Sequence, residues 1–197
     1  MGTQLLCCEH AFTPGPGTGI HNNSFRGVLH GHVGNLTSRL TIFRAGYNKL
    51  TGGIPTTISN ISSLERIDLR DNLFTEPIPD SIAMLENLVD LDLSHNDMLG
   101  PIPTQIGMLR SLERLYLQRN KLFASIPTGI VNLSRLEYIS LSNYQLSSLL
   151  PANLFQLPKL IALDFSHNSF AGVVPSAVDQ LSQVVGMDLS FNILTGV

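Results

Sequence analysis

The chain has 197 residues, of which 43% are hydrophobic and 14% are charged, and its formal net charge at pH 7 is −3. This composition provides ample apolar material for a core and excludes an intrinsically disordered chain. With only 12 basic residues the chain is not expected to bind nucleic acid, and without an apolar run of 18 residues it is not expected to span a membrane.

Residues 1–19 are predicted to form an irregular leader. This segment lacks the basic start of a signal peptide, and Glu9 and His10 end its apolar stretch. Neighbouring cysteines rarely reach the geometry of a shared disulfide, so Cys7 and Cys8 are expected to stay free or to face other partners. Palmitoylation of either cysteine is an alternative.

A repeat of 24 residues follows the leader. Asparagine recurs at this period, and proline follows it at a constant distance, which predicts an array of stacked units. The first unit is one residue longer and has His30 in place of the proline, and Tyr144 replaces one asparagine. The repeated asparagines are Asn23, Asn48, Asn72, Asn96, Asn120, Asn168 and Asn192.

Each unit has the pattern LxxLxLxxNxLxGxIPxxIxxLxx. Leu91 and Leu93 alternate with polar residues, as in a short strand with one buried face. No unit can bury its own leucines, but stacked units share one core. The asparagine is expected to lie buried at the following turn, where its side chain pairs with backbone groups and forms a ladder between units. Tyr144 cannot supply both donor and acceptor, so its unit is expected to be a weak point.

Glycine precedes the Ile-Pro step in several units, where it allows a positive φ. Glu76, Ala124 and Ser148 occupy this position in other units, so the backbone is not expected to be strongly left-handed in every unit. The glycines at this position are Gly52, Gly100, Gly172 and Gly196.

Two stretches, NKLTGGIPTTISNISSLERIDLRDN at 48–72 and LVDLDLSHNDMLGPIPTQIGMLRSLERLYLQRNKL at 88–122, carry a family resemblance. The chain resembles the plant-type leucine-rich repeat, and specifically the extracellular domains of plant receptor-like kinases and receptor-like proteins such as rice-type immune receptors. The resemblance covers residues 20–197 and implies an α/β solenoid. This fold is a right-handed superhelix with a parallel β-sheet on its concave face, here with about seven to eight units.

The chain departs from this family in three respects. The family's secretion signal, its cysteine-paired N-terminal cap, and its transmembrane helix and kinase domain have no counterpart in this sequence. The last unit stops before its Ile-Pro step, which is expected to leave apolar residues exposed at that end. We therefore interpret the sequence as a fragment, or a truncated relative, of a larger receptor.

No catalytic residue, metal ligand or cofactor is predicted. Neither the sequence motifs of protein kinases nor a Gly-x-Ser-x-Gly elbow is present. His30 and His32 are the closest histidine pair, but a metal site needs further ligands. His95 and His167 recur before the asparagine and are interpreted as solvent-facing filler.

The concave face is the predicted binding surface, because its outward strand positions form a rigid lattice for a peptide or protein. Asp92, Asp164 and Asp188 match the family's usual residue and carry little information. Arginine and tyrosine often anchor interfaces, although a solvated charged face that binds nothing is the alternative. The predicted binding residues are Arg44, Arg66, Asp68, Arg70, Asp71, Arg114, Tyr116, Gln118, Arg119 and Tyr138.

Four Asn-x-Ser/Thr sequons are candidates for N-glycosylation. Those at Asn35, Asn60 and Asn132 occupy the same place in their units and are predicted to lie on the outer flank, away from the concave face. The fourth is at Asn22. The alternative is that the sequons are inherited from an ancestral sequence and are not glycosylated in this protein.

The favoured function is therefore a peptide- or protein-binding module that resembles the ligand-sensing domain of a receptor-like kinase in defence or developmental signalling. A co-receptor with leucine-rich repeats is a further expected partner. The resemblance implies a location outside the plasma membrane, either anchored or secreted. Alternatives are the sensing part of a full-length serine/threonine receptor kinase, a secreted inhibitor-like repeat protein, and a non-functional truncated gene product.

Overall fold

The computed structural model describes residues 17–36, 39–143 and 145–196. These residues form sixteen β-strands and seven 3₁₀ helices, and two strands precede each helix along the chain. The interpretations of Cys7, Cys8 and Tyr144 concern residues outside the described part of the chain. Most of the predicted leader lies outside it as well.

The odd-numbered strands form one parallel sheet of eight strands, which we call the main sheet. Ile67 pairs with Leu91, and Leu91 pairs with Leu115, so neighbouring strands are related by the 24-residue period. Gly17 pairs with Ile42, an offset that includes the extra residue of the first unit. The strands are β1 (Gly17–Gly19), β3 (Ile42–Arg44), β5 (Arg66–Asp68), β7 (Asp90–Asp92), β9 (Arg114–Tyr116), β11 (Tyr138–Ser140), β13 (Ala162–Asp164) and β15 (Gly186–Asp188).

Because β1 belongs to this sheet, residues 17–19 are part of the array and not of the irregular leader predicted from the sequence. The leader prediction missed this strand because its sequence, Gly-Thr-Gly, has none of the alternating apolar residues that identify the other strands.

The even-numbered strands form two smaller parallel sheets. The first contains β2 (Arg26–Val28), β4 (Lys49–Gly52) and β6 (Leu73–Phe74). The second, which we call the five-stranded sheet, contains β8 (Leu99–Gly100), β10 (Lys121–Ala124), β12 (Gln145–Leu149), β14 (Ser169–Val173) and β16 (Ile193–Thr195).

Within the described residues, a 3₁₀ helix follows the Ile-Pro step or its counterpart in every unit except the last. Proline immediately precedes six of the seven helices, where its ring restricts φ to values between −58° and −71°. His30 takes this place before the first helix, with a φ of −73°. The helices are η1 (Gly31–Asn35), η2 (Thr56–Asn60), η3 (Asp80–Met84), η4 (Thr104–Met108), η5 (Thr128–Asn132), η6 (Ala152–Gln156) and η7 (Ser176–Gln180).

One continuous apolar core runs between these layers. Leu91 and Leu93 are fully buried, in agreement with the alternation in the sequence. Each buried Leu or Ile side chain stabilises the fold by roughly 1.5–3 kcal/mol. The fold is thus the predicted α/β solenoid, with 3₁₀ rather than α-helices opposite the main sheet.

The repeated asparagines connect each unit to the one before it. Asn96 is buried, and its Nδ2 donates hydrogen bonds to the carbonyls of Leu93, Ser94 and Leu69 at 3.0–3.1 Å. Its Oδ1 accepts the N–H of Phe74 at 3.1 Å. Equivalent bonds to the preceding unit are made by Asn48, Asn72, Asn120, Asn168 and Asn192.

The backbone before the Ile-Pro step is left-handed in more units than the sequence suggested. Ala124 has a φ of 74° and Ser148 a φ of 119°, although both carry a Cβ. Glu76 is not left-handed, which agrees with the expectation that the units would differ. Pairing within the five-stranded sheet sets the backbone at Ala124 and Ser148 and outweighs their local preference.

Candidate ligand-binding groove

In each strand from β3 to β13 the central residue is buried in the core, and the first and third residues belong to the open face of the main sheet. In β5 the central residue, Ile67, is buried in the core, whereas Arg66 and Asp68 point away from it. Neighbouring strands of a sheet lie about 4.8 Å apart, so equivalent side chains form regular rows across the face. We expect this face to be the concave one from the family resemblance.

The first cavity on this face has a volume of about 310 Å³ and lies over β3, β5, β7 and β9. We call it the charged cleft, because three arginines and three aspartates line it. Its lining residues are His21, Arg44, Arg66, Ile67, Asp68, Arg70, Asp90, Asp92 and Tyr116.

Arg70 is the centre of the ion pairs in the charged cleft. Its guanidinium lies 3.4 Å from a carboxylate oxygen of Asp68 and 3.4 Å from one of Asp92, and it stacks over the ring of Tyr47 at 5.1 Å. Burial disfavours its charge, but Asp68 and Asp92 outweigh this effect and raise the pKa of Arg70 above its ordinary value. The guanidinium is therefore a permanent, positioned cation.

Asp92 contacts Nη1 of Arg70, whereas Asp68 contacts Nη2, so the two carboxylates hold the guanidinium between them. Oδ1 of Asp92 accepts hydrogen bonds from the N–H and the hydroxyl of Ser94 at 3.0 and 2.6 Å, which leaves Oδ2 directed at Arg70. Burial raises the pKa of Asp92, although the bonds from Ser94 act against this rise. Asp92 matches the family's usual residue and so gives little signal in the sequence, yet its side chain joins two units across the cleft.

Asp90 and Arg114 form the next pair, with 3.8 Å between carboxylate and guanidinium. Burial raises the pKa of Asp90, and Arg114 opposes this effect. Burial also raises the pKa of Tyr116, and Asp90 contributes in the same direction, so the phenol is a neutral hydrogen-bonding group.

A second cavity, of about 500 Å³, adjoins the charged cleft over β9, β11, β13 and β15. We call it the tyrosine depression. Ala162 pairs in register with Tyr138, and Gly186 pairs with Ala162 on the next strand, so the small residues at these two positions leave space beside the ring of Tyr138. Arg114 lies over that ring at 5.8 Å. The lining residues are Tyr116, Tyr138, Ile139, Ser140, Ala162, Leu163, Asp164, Gly186, Met187 and Asp188.

The structure brings most of the predicted binding residues together. Tyr116 lines both cavities, so the two adjoin one another. We call them together the groove, and their lining residues extend over seven strands. Arg114 borders both cavities through its contacts with Asp90 and Tyr138. The predicted residues that line a cavity wall are Arg44, Arg66, Asp68, Arg70, Tyr116 and Tyr138.

Three predicted residues lie outside both cavities. Asp71 and Arg119 occupy the left-handed position just before the ladder asparagine, and Asp71 lies 3.6 Å from Nδ1 of His95. His95 is thus partly covered and in contact with a carboxylate, which differs from its interpretation as solvent-facing filler. The Oε1 atom of Gln118 is buried and has no hydrogen-bond partner within the described structure.

Sequence reasoning missed several residues of the groove. Asp90 was overlooked because its carboxylate gains its role from Arg114 in the next unit. Ala162 and Gly186 were overlooked because small residues matter here by leaving space. The sequence does contain a signal for them, because they lie one and two repeat periods, 24 and 48 residues, after Tyr138 and so occupy the equivalent strand position. The other missed residues are His21, Ser140, Asp164, Met187 and Asp188.

Three of the four sequon asparagines lie on the 3₁₀ helices, whereas Asn22 directly follows His21 of the charged cleft. Asn35, Asn60 and Asn132 are exposed final residues of η1, η2 and η5. Asn22 is exposed and has a positive φ of 56°. Its neighbour Asn23 is the first residue of the asparagine ladder and donates to the carbonyls of Ile20 and His21 in its own unit.

Residues 17–36, 39–143 and 145–196 offer neither a cluster of metal ligands nor a membrane-spanning helix. This part of the chain contains no group of three or more His, Cys, Asp or Glu side chains that could hold a metal ion. None of the helices formed by the described residues has the length and apolar character needed to cross a lipid bilayer.

A protein-family model described as leucine rich repeat matches residues 38–98 and 110–170. A search of curated proteins found no match. Solved structures give strong matches instead. The ectodomain of the plant membrane receptor kinase GASSHO1/SCHENGEN3 from Arabidopsis thaliana, in complex with CASPARIAN STRIP INTEGRITY FACTOR 2, is 33% identical with a TM-score of 0.85. The match covers 88% of this chain and 21% of that chain.

Two further matches are of similar quality. The plant peptide hormone receptor RGFR1, in complex with RGF2, is 31% identical with a TM-score of 0.86, and the match covers 90% of this chain and 28% of that one. The Arabidopsis receptor kinase HAESA, in complex with the peptide hormone IDA and the co-receptor SERK1, is 30% identical with a TM-score of 0.84. That match covers 88% of this chain and 29% of that one. The chain thus spans less than a third of the length of these relatives.

Proposed function

The chain belongs to the leucine-rich repeat family, and from this premise we propose that it binds a peptide or protein ligand through the open face of its main sheet. The observation that carries the proposal is the groove made by the adjoining charged cleft and tyrosine depression. Its arginines and tyrosines are the residue types that most often dominate binding energy.

The groove is organised before any ligand arrives. Arg70 is fixed between Asp68 and Asp92, and Arg114 between Asp90 and Tyr138. Side chains already held in place lose little conformational freedom on binding, so more of the contact energy appears as affinity. This supports recognition of a ligand by a rigid surface.

The dimensions of the groove suit an extended peptide. It spans β3 to β15, which are six strand spacings, or about 29 Å at 4.8 Å each. An extended chain advances about 3.3 Å per residue, so about nine residues cover this length. RGFR1 is a plant peptide hormone receptor matched in complex with RGF2, and HAESA is matched in complex with the peptide hormone IDA and the co-receptor SERK1. These two matches support a peptide ligand, and HAESA supports a co-receptor.

The proposed role is sensing without catalysis. The acidic groups of the cleft are engaged by arginines and by Ser94, and this arrangement serves to present charge. By analogy with the matched receptor kinases, the chain would act in defence or developmental signalling, as part of a receptor kinase or beside one.

An extracellular location is part of the proposal, and N-glycans test it. Asn60 and Asn132 are exposed at the ends of η2 and η5, so sugars there would leave the groove open. Peptide mass spectrometry of the protein from its own tissue is expected to find both residues glycosylated. Bare asparagines at both sites would contradict passage through the secretory route.

The groove itself is tested by selection from a random dodecapeptide display library on the full chain. Titration calorimetry then measures the dissociation constant of the enriched peptides for the wild type and for Ala162→Arg. Arg66 and Arg114 occupy the equivalent position in other units, so the fold accommodates arginine there. Because the new side chain fills the tyrosine depression, the dissociation constant is expected to rise at least tenfold.

The matched control is Met84→Arg, which adds the same side chain to an exposed residue at the end of η3. Its dissociation constant is expected to equal that of the wild type. No enrichment of peptides, or equal affinity of the wild type and Ala162→Arg, would overturn the proposal.

A further inference from the structure

The five-stranded sheet carries a second surface, which is separate from the groove. Four large apolar side chains from successive units are exposed on it: Leu99 (48%), Phe123 (48%), Leu149 (68%) and Val173 (50%). We call these four residues the outer patch. The strand register places Phe123 diagonally beside Leu99 and Val173 diagonally beside Leu149, so the patch consists of two exposed apolar pairs on one sheet. Exposed apolar surface of this kind marks interaction sites in soluble proteins.

Strand geometry gives the outer patch a defined shape. In β10 the side chains of Lys121 and Phe123 point outward while Leu122 is buried, and Lys121 pairs in register with Leu99. The side chain of Leu149 lies over Gly172, so close that a Cβ on this glycine would be 2.6 Å from Cδ2 of the leucine. The apolar side chains therefore sit on a rigid sheet.

One ion pair adjoins the outer patch. Nζ of Lys121 lies 2.7 Å from Oδ1 of Asp97, and both side chains are largely exposed, by 62% and 40%. The other outward residues of β12 and β14 near the patch, Gln145, Ser147 and Ser169, are uncharged. The surface thus combines apolar side chains with one positive and one negative group side by side.

This charge arrangement is complementary to itself. A twofold axis places the same surface on both partners, so a neighbouring positive and negative group can each meet its opposite across the axis. We propose that the outer patch joins two copies of this chain about a twofold axis near Leu99 and Phe123. Asp97 of each copy then faces Lys121 of the other, and both ligand grooves stay open.

The test uses the full chain and measures its dimer dissociation constant by sedimentation equilibrium. The single variants Asp97→Lys and Lys121→Asp each place like charges opposite one another, and each is expected to weaken the dimer at least tenfold. The double variant Asp97→Lys/Lys121→Asp restores both pairs and is expected to dimerise like the wild type.

Mixing the two single variants gives a sharper readout. An Asp97→Lys copy presents two lysines and a Lys121→Asp copy presents two aspartates, so an equimolar mixture is expected to form heterodimers although each variant alone is monomeric. Loss of an ion pair within one chain cannot produce this rescue. Circular dichroism of each variant establishes that it is folded before it is mixed.

Met84→Lys, a charge added to an exposed apolar residue of η3, is the matched control and is expected to leave dimerisation unchanged. A wild-type chain that stays monomeric at every concentration would overturn the proposal. Dimerisation that is insensitive to residues 97 and 121 would overturn it too, and would point to other exposed apolar residues such as Val185 and Phe191.

Discussion

Asn96 shows how a single side chain stabilises the stack of units. Its four hydrogen bonds satisfy backbone groups of its own unit and of the preceding one, and the side chain is buried. Buried backbone groups without partners are costly, so the asparagine contributes mainly by preventing that cost.

Replacing Asn96 by alanine leaves Phe74 N–H and three carbonyls without this partner. We expect Asn96→Ala to lower the free energy of unfolding in urea by roughly 2–4 kcal/mol, since each net hydrogen bond contributes about 1 kcal/mol. Asn23→Ala is the control: the residue is exposed and donates to two carbonyls of its own unit. Equal losses for both variants would contradict a ladder between units.

The raised pKa of Asp90 predicts how the stability of the folded chain depends on pH. Because burial raises its pKa in the folded chain, the folded state retains the proton more strongly than the unfolded state. The stability contributed by this carboxyl is therefore fully present below its unfolded pKa and is lost as the pH rises through the folded pKa. Relative to Asp90→Asn, which cannot titrate, the wild type is expected to gain stability as the pH falls from 7 to 4.

Asp188 provides a control of opposite sign. Hydrogen bonds from Ser190 lower its pKa, so its stabilisation is present above the unfolded pKa and is lost as the pH falls. Relative to Asp188→Asn the wild type is expected to lose stability as the pH falls below about 4, where the unfolded chain begins to take up this proton. Urea unfolding of all three proteins at several pH values checks both signs, and identical pH profiles would refute the assignment.

At the scale of the element, the residues before the Ile-Pro step show that strand pairing can outweigh the local conformational preference of a residue. Ala124 has a φ of 74° because β10 must pair with β8 and β12. A non-glycine residue in this region costs about 1–2 kcal/mol, and glycine avoids this cost. Local sequence could not predict this conformation, since the neighbouring units impose it.

Ala124→Gly is accordingly expected to stabilise the chain by about 0.5–1 kcal/mol, after allowance for the greater freedom of glycine in the unfolded state. Ala171→Gly in β14 is the control, because Ala171 is not left-handed and glycine within a strand costs about 0.5–1 kcal/mol. Thermal unfolding measures both variants. Destabilisation by Ala124→Gly would contradict strain at this position.

The packing of the 3₁₀ helices gives a second prediction at this scale. A Cβ added to Gly107 in η4 would collide with the backbone carbonyl of Gly129 in η5. We expect Gly107→Ala to lower the free energy of unfolding by about 1–3 kcal/mol, because the backbone has to move. Gly31→Ala in η1 is the control, since its nearest contact would be Thr57 Oγ1 at 3.6 Å. Similar stability of the two variants would contradict close backbone packing.

For the whole molecule, the period of the sequence predicted the fold. Leu91, Leu93 and Asn96 recur at positions that have one burial pattern, so stacking is the arrangement that satisfies all units. The groove was predicted in part. The period identified its outward positions, but the ion pairs of Arg70 depend on side-chain conformations in three neighbouring units, and the tyrosine depression depends on the absence of side-chain volume at Gly186.

The central claim is that the preformed groove on the main sheet binds an extended peptide. Photo-cross-linking tests it most directly: a peptide from the library selection carries a benzophenone, and mass spectrometry locates the cross-links on the full chain. The account predicts cross-links at groove residues between Arg44 and Asp188, and their loss in Ala162→Arg. Cross-links on the 3₁₀ helices, or cross-links that persist unchanged in that variant, would contradict it.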